Sequence, residues 1–300
     1  MNQHFLPSEI HFAGHDTFHL RYTWLPKAAE FIKSESDTSL SNYDVVMTEL
    51  GLGKNMAKSL RHWAESSQLF KKNNDFTHQF SALGNRLFVL NGGLDPYLEM
   101  PESNWLLHYL ITSNHNKNGL WFYLFNVYNE SIIIKDEFLI NAINWFNSHD
   151  ISTNSNTLAK DLLCCINMYN SQKLKHGDGL ETTLSSPFRD LKLIQKVGEN
   201  YRLKTISTTD ISVEIFSYCL MDYLEKEGFQ KFTPFSELLN GMKSPGRIFR
   251  LSEDILECFL NEFLKFTSGY IYDTTSGMKQ LIKKTERPLN KMIILEKAYV

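Results

Sequence analysis

The residues from Lys54 to Lys72, KNMAKSLRHWAESSQLFKK, set Lys54, Lys58, Arg61, Lys71 and Lys72 against a single acid, Glu65. Cations one helical turn apart meet successive phosphates of a nucleic acid, and an asparagine beside them can pair bidentately with adenine. Lys54 and Asn55 would then read base edges while Lys58 and Arg61 steady the backbone. A solvated helix face used for protein contact is the alternative reading of the same pattern. A second group, Lys243, Arg247 and Arg250, contains no acid, and Ser244-Pro245-Gly246 within it opens a helix. The free N–H groups of that helix start, together with the three cations, would seat a phosphate. Proline and glycine at such a place are equally the ordinary way for a helix to begin.

The N-terminal string GHDTFHLRYTWLPK, with the residues before it, places His11, His15 and His19 at intervals of four. On a helix they would form a row of imidazoles suited to a metal, but Gly14 and Thr17 favour a loop. A narrower site remains. His15 would move a proton, the Asp16 carboxylate would hold Mg or Mn, and Arg21 would hold a phosphate oxygen. The same three residues would serve as well as a hydrogen-bonded tie of the N-terminal segment onto the first helix.

Several chemistries are excluded. Gly51-Leu52-Gly53-Lys54 lacks the glycine spacing and the following Ser or Thr of a nucleotide-binding loop, and no Gly-x-Ser-x-Gly or Gly-x-Gly-x-x-Gly occurs. No paired acids followed by lysine stand at nuclease spacing, so hydrolysis would have to be assembled from distant residues. None of Cys164, Cys165, Cys219 and Cys258 sits in a Cys-x-x-Cys pair or at zinc-finger spacing from histidine. The adjacent thiols in LLCCINMY are expected to be buried and reduced.

These candidates need elements to position them. The chain has 300 residues with a net charge of -3, too acidic to coat nucleic acid nonspecifically but compatible with local basic faces. Hydrophobic content is 42%, and no apolar run nears the roughly 20 residues that span a bilayer. The first residues lack the basic and apolar regions of a secretory leader, so a cytoplasmic location is expected. TWLPKAAEFIKS reads as a helix, followed by the linker ESDTSLSN. A short helix YDVVMTEL, a glycine turn and a basic helix then form a helix-turn-helix pattern, with Met56, Leu60, Trp63 and Leu69 on its apolar face. FTHQFSALGNRLFVL is expected to supply a hairpin turning near Gly84-Asn85, the wing of a winged helix.

GGLDPYLEMPES marks a boundary. Helices over GLWFYLFNVYN, KDEFLINAINWFNSH and NTLAKDLLCCINMYN follow, with a hairpin turning at Gly198-Glu199-Asn200. The last third repeats the order: a helix closed by Gly228, a second helix, a Gly and Pro turn, a helix, and two strands around residues 275–277. The fold class expected is mainly α with small β-hairpins, an α+β chain of tandem winged-helix-like modules at residues 1–94, 95–205 and 206–300.

Six segments together resemble the bacterial domain of unknown function family 4007: GHDTFHLRYTWLPK at 14–27, LGLGKNMAKSLRHW at 50–63, DPYLE at 95–99, WLLHY at 105–109, SPFRDLKLI at 186–194 and SPGRIFRLS at 244–252. They run in order over nearly the whole chain. Members occur as the SspB-like component of Ssp-type DNA phosphorothioation systems, which replace a nonbridging phosphate oxygen with sulfur. The resemblance implies a DNA-binding, DNA-nicking component of a phage-defence modification system, dependent on Mg or Mn. It also implies a cysteine desulfurase, an ATPase and a phosphoadenosine-phosphosulfate-reductase-like protein as partners. A recruitment module without cleavage and a winged-helix transcriptional regulator are the alternatives. Asp16 departs from the family pattern, where a glutamate is expected, and so does Phe188, where a leucine is expected.

Overall fold

The computed structural model describes residues 10–34, 39–170, 186–228, 231–284 and 290–300. The first nine residues, read above for a leader, and linker residues 35–38 lie outside them. The chain divides into two compact units. One comprises Met1–Glu99, Asn114–Leu124 and Tyr128–Lys204, and the other Met100–Ser113, Phe125–Val127 and Thr205–Val300.

In the first unit, α1 (Trp24–Ser34) buries Trp24, Leu25, Ala28, Phe31 and Ile32, the face its helical period calls for. Helix α2 (Tyr43–Leu50) starts at Asn42, whose side chain accepts the Val45 N–H. It stops at Gly51, where φ is 64° and the glycine N–H donates to the Met47 carbonyl. Leu52 turns inward, and α3 (Lys54–Ser66) begins at Gly53. Ala57, Leu60, Trp63 and Ala64 lock α3 onto the core with no exposed surface. Burial of a leucine such as Leu60 contributes roughly 1.5 to 3 kcal/mol.

The hairpin after α3 corrects the sequence-based expectation. Strands β1 (Phe70–Lys72) and β2 (His78–Phe80) pair antiparallel with Phe70 opposite Phe80. The turn lies at residues 73–77, closed by the Asn73 N–H to the Thr77 carbonyl at 2.9 Å. Gly84-Asn85 falls inside α4 (Ala82–Phe88), which Ser81 caps by accepting the Gly84 N–H. Glycine stands there for space, because a Cβ at 84 would lie 2.0 Å from the Leu69 carbonyl oxygen. The unit continues through α5 (Gly119–Phe122) to β3 (Ile132–Ile133), α6 (Lys135–Ser148) and α7 (Ser155–Tyr169), the π-helical turn Tyr123–Val127 after α5 contributing Phe125–Val127 to the other unit. Strands β4 (Ile194–Val197) and β5 (Asn200–Leu203) complete an antiparallel sheet in the order β3-β5-β4, turning at Gly198 with φ 62°.

The second unit holds the helix Pro101–Ser113, here α8, buried from Ser103 to Thr112. Its centre is α9 (Val213–Lys226), buried all round from Ile215 to Leu224, with Asp222 in that stretch paired to Lys291 and Lys226. Around it stand β6 (Phe232–Pro234), α10 (Phe235–Asn240), α11 (Pro245–Ile248), α12 (Glu253–Phe266) and α13 (Lys291–Lys297). Strands β7 (Tyr270–Asp273) and β8 (Gln280–Lys283) join β6 in an antiparallel sheet in the order β6-β8-β7. The architecture is therefore mixed α+β, helices with small antiparallel sheets. No described helix is long and apolar enough to cross a membrane.

Replacing Gly84 with alanine is expected to lower stability by about 1 to 3 kcal/mol through overpacking against Leu69, despite alanine's better helix propensity. Urea unfolding measures this, and an unchanged or raised midpoint would contradict the packing account.

Candidate functional site

Helix α3 opens with an exposed polar mouth. Its N-cap is Gly53, which makes no side-chain hydrogen bond to the helix, and Lys54 and Asn55 are both exposed. The amides of Lys54, Asn55 and Met56 precede the first intrahelical bond, from the Ala57 N–H to the Gly53 carbonyl at 2.9 Å. These N–H groups and the positive helix end favour an anion. One turn further, Lys58 lies half-exposed with its Nζ 3.7 Å from Asp16 Oδ2. Such a pair at the surface contributes little to stability. Arg61 is more committed, with Cζ 5.2 Å above the Tyr43 ring and Nε 3.8 Å from Glu65.

The loop carrying Asp16 is built by a residue that sequence reasoning missed. Asp161 lies on α7 and is 1% exposed. Its carboxylate accepts the Ala13 N–H at 3.1 and 3.2 Å, and one oxygen lies 3.0 Å from His15 Nε2. His15 Nδ1 accepts the Thr17 N–H at 3.1 Å, so the ring proton belongs on Nε2 and is donated to Asp161. His15 is buried, stacks on Trp63 at 6.0 Å and meets Trp121 edge-on at 5.4 Å. Ala13, Asp16 and Thr17 all have positive φ, of 58°, 46° and 67°, a costly run for residues other than glycine. The loop is also pinned to α3. The Phe18 carbonyl accepts the Ser59 hydroxyl at 3.1 Å and the Trp63 indole N–H at 3.0 Å. Gly14 sits so close to His62 that a Cβ would be 2.5 Å from its Nδ1.

The three histidines of the N-terminal string stand on this loop rather than on a helix. The His11 backbone pairs with Asn116 and Gly119 at 3.0 and 3.2 Å. Burial, then Arg189, Arg21 and His15, push His19 down to about 4. Arg21 lies 5.4 Å over the Trp24 ring and 6.0 Å over Phe18. Arg189 donates from Nε and Nη2 to the Asn167 carbonyl, each at 3.3 Å, and the Tyr22 hydroxyl donates to Asp190. Residues 14–27 and 186–194 thus converge.

Lys243, Arg247 and Arg250 belong to the second unit and share a different organiser, Asn126. Its Oδ1 accepts the Lys243 N–H at 2.7 Å, its carbonyl accepts Arg247 Nε–H at 2.9 Å, and its Nδ2 donates to the Thr112 carbonyl at 3.0 Å. Lys243 Nζ lies 3.9 Å from Glu227. Burial, then Arg250, lowers the Arg247 guanidinium to about 10. The Arg247 N–H is already taken by the Ser244 hydroxyl at 3.1 Å. Lys243 and Arg250 have positive φ, 67° and 52°.

Among the described residues no three or more His, Cys, Asp or Glu side chains converge as a metal site. Asp16 offers one carboxylate, with the Lys58 ammonium beside it. These residues do not by themselves fit a protein-built metal centre. Cys164 and Cys165 are buried and free, and burial drives both thiols well above their ordinary range, which makes them poor nucleophiles.

Residues 12–299 match the family described as protein of unknown function, DUF4007. No curated protein matches the sequence. A solved structure described as the SspB crystal structure is similar at a TM-score of 0.84 and 24% identity, covering 97% of this chain and 89% of that one. Another, described as magnesium ion-bound SspB, is similar at a TM-score of 0.82 and 25% identity, covering 96% of this chain and 87% of that one.

Burial lowers His62 and His108 from 6.5 to about 3 each, and His19 to about 4. A histidine whose folded value lies below its unfolded one is held neutral by the fold. Its stabilisation is complete above pH 6.5 and drains as pH falls toward the folded value, on the order of 1.4 kcal/mol per unit for each histidine. Unfolding free energy should therefore drop between pH 7 and pH 5, and His62→Gln should make that slope shallower. A flat profile over this range would rule the account out.

Proposed function

The chain belongs to the DUF4007 family, and from that premise and the mouth of α3 we propose that it binds DNA as a component of a DNA phosphorothioation system. The observation that carries the reading is the helix start without a side-chain cap, where Lys54 and Asn55 are exposed and Lys58 follows one turn on. A phosphate at the amides would be held by hydrogen bonds and by the helix dipole, and Asn55 would be within reach of a base edge. The order α1, α2, α3, β1, β2 supports a winged-helix reading of this part, with exposed Lys71 and Lys72 on the wing. The likeness to structures described as SspB supports placement in such a system, beside a desulfurase, an ATPase and a reductase-like partner.

The enzymatic form of the proposal is a nickase that opens the backbone for sulfur insertion with Mg or Mn. The neighbour described as magnesium ion-bound supports it, and His15, Asp16 and Arg21 are its candidate residues. Asp16 and Arg21 keep partial exposure, while His15 would act by holding the loop. The noncatalytic form, recruitment of partners to DNA, draws support from the engagement of both His15 nitrogens. The cluster Lys243, Arg247 and Arg250 would be a secondary contact, since Arg247 and Lys243 already serve the fold.

Lys54→Gln and Lys58→Gln are each expected to weaken duplex binding and reduce the slope of log K against log salt by roughly 0.9 per lost phosphate contact. Arg61→Gln is expected to do less, because its guanidinium is engaged with Tyr43 and Glu65. An unchanged slope in all three would remove α3 from the interface. Supercoiled plasmid incubated with Mg, Mn or EDTA, using wild type and Asp16→Ala, separates the two forms. Relaxation that needs metal and is lost in the variant supports the nickase, and intact plasmid under every metal despite gel-shift binding leaves recruitment.

A further inference from the structure

A cavity of about 800 Å³ lies in the first unit between the start of α1, the end of α2 and the turn at residues 95–99. Its apolar lining is Tyr22, Pro26, Leu50 and Tyr97, and its charged lining is Glu30, Glu49 and Glu99 with Lys27. Three carboxylates against one ammonium leave two net negative charges, the opposite of the mouth of α3. Phosphate backbones are repelled from it.

Two features show that this lining is built at a cost. Asp95 is 5% exposed, and its Oδ1 accepts the Glu99 N–H at 3.0 Å while its carbonyl accepts the Leu98 N–H at 3.2 Å. That turn drives Leu98 inward at φ 55° and leaves Tyr97 67% exposed, so a strained backbone presents an aromatic ring to solvent. Glu49 stands in the last turn of α2, where the helix's negative end disfavours a carboxylate and the turn itself holds no basic side chain. Tyr22 is held in place by its hydrogen bond to Asp190. Helix stability explains neither Glu49 nor Tyr97.

We propose that this cavity receives a basic segment of a partner protein. The methylene stem of a lysine or arginine lies on the rings of Tyr22 and Tyr97, and its head pairs with Glu49 and Glu99. The cavity is larger than one side chain fills, so neighbouring apolar side chains of the same segment occupy Pro26 and Leu50. Charge complementarity selects this occupant over nucleic acid or an acidic peptide. The proposal does not depend on DNA binding at α3.

The test uses calorimetry on the full chain, with capped acetyl-Leu-Arg-Leu-Arg-amide as the probe and the glutamate-for-arginine peptide and spermidine as comparisons. Saturable binding of the basic peptide is expected, with no heat from the acidic one. Glu49→Lys combined with Glu99→Lys should weaken binding about tenfold or more, as loss of two ion pairs implies. Tyr97→Ala should weaken it without altering charge, while Glu199→Lys with Glu262→Lys, both exposed elsewhere, should leave it unchanged. DNA binding should persist in the cavity variants, which separates this site from the α3 reading. Absent saturation, equal binding of the acidic peptide, or insensitivity to the cavity charges would overturn the proposal. Spermidine binding as tightly as the peptide would also overturn it, since the site would then take free amines.

Discussion

The carboxylate of Asp161, removed from water on α7, sets the geometry of the loop at residues 13–18. An unpaired carboxylate in that position costs several kcal/mol, and it is compensated by the Ala13 amide and the His15 ring N–H. Those two bonds, with the Thr17 amide on the other side of the imidazole, hold three residues in left-handed conformations that they would otherwise leave. The Phe18 carbonyl then falls where Ser59 and Trp63 of α3 can donate to it. The orientation of α3 is thus secured partly from α7, through a loop whose His15 stands 146 residues from Asp161 in sequence.

Local pattern predicts local structure well in this chain and distant pairing poorly. Trp24 to Ile32, the turn Gly51-Leu52-Gly53 and the hairpin at Gly198 were readable because period and left-handed glycines act within a few residues. Gly84 misled because its role is to admit the Leu69 carbonyl, a contact that no window around residue 84 contains. The short helix Lys291–Lys297 went unread although Asn290 caps it by accepting the Met292 N–H at 3.0 Å, because seven residues are too few to establish a period. At the candidate site, the exposed face of α3 was readable and the part played by Asp161 was not. One signal pointed to it: an acid three residues after Leu158 and next to Leu162 lies on a buried face and must have a partner.

The two basic groups look alike as sequence and differ as physics. At α3 the helix start has no side-chain cap, and Lys54 is exposed to solvent. At residues 243–250 the charges lie over a polar scaffold, with the amide of Asn126 joining the backbone of Lys243 to Thr112. There the Arg247 side chain is a structural donor first, and its partial burial lowers its guanidinium. Counting lysines and arginines cannot separate these cases, because the difference lies in where their hydrogen bonds go.

Gly53 leaves α3 without the side-chain acceptor that α2, α4 and α7 all possess. A serine or aspartate at that position would stabilise the free helix by roughly a few tenths of a kcal/mol over glycine and would occupy an amide an anion needs. The first turn of α3 is therefore a place where the unliganded chain frays readily and where ligand and local order are linked. If an anion seats at this turn as proposed, ordering of the turn would accompany its binding. Selection for a more rigid resting molecule would act against that coupling, a trade between stability and responsiveness concentrated in one missing side chain.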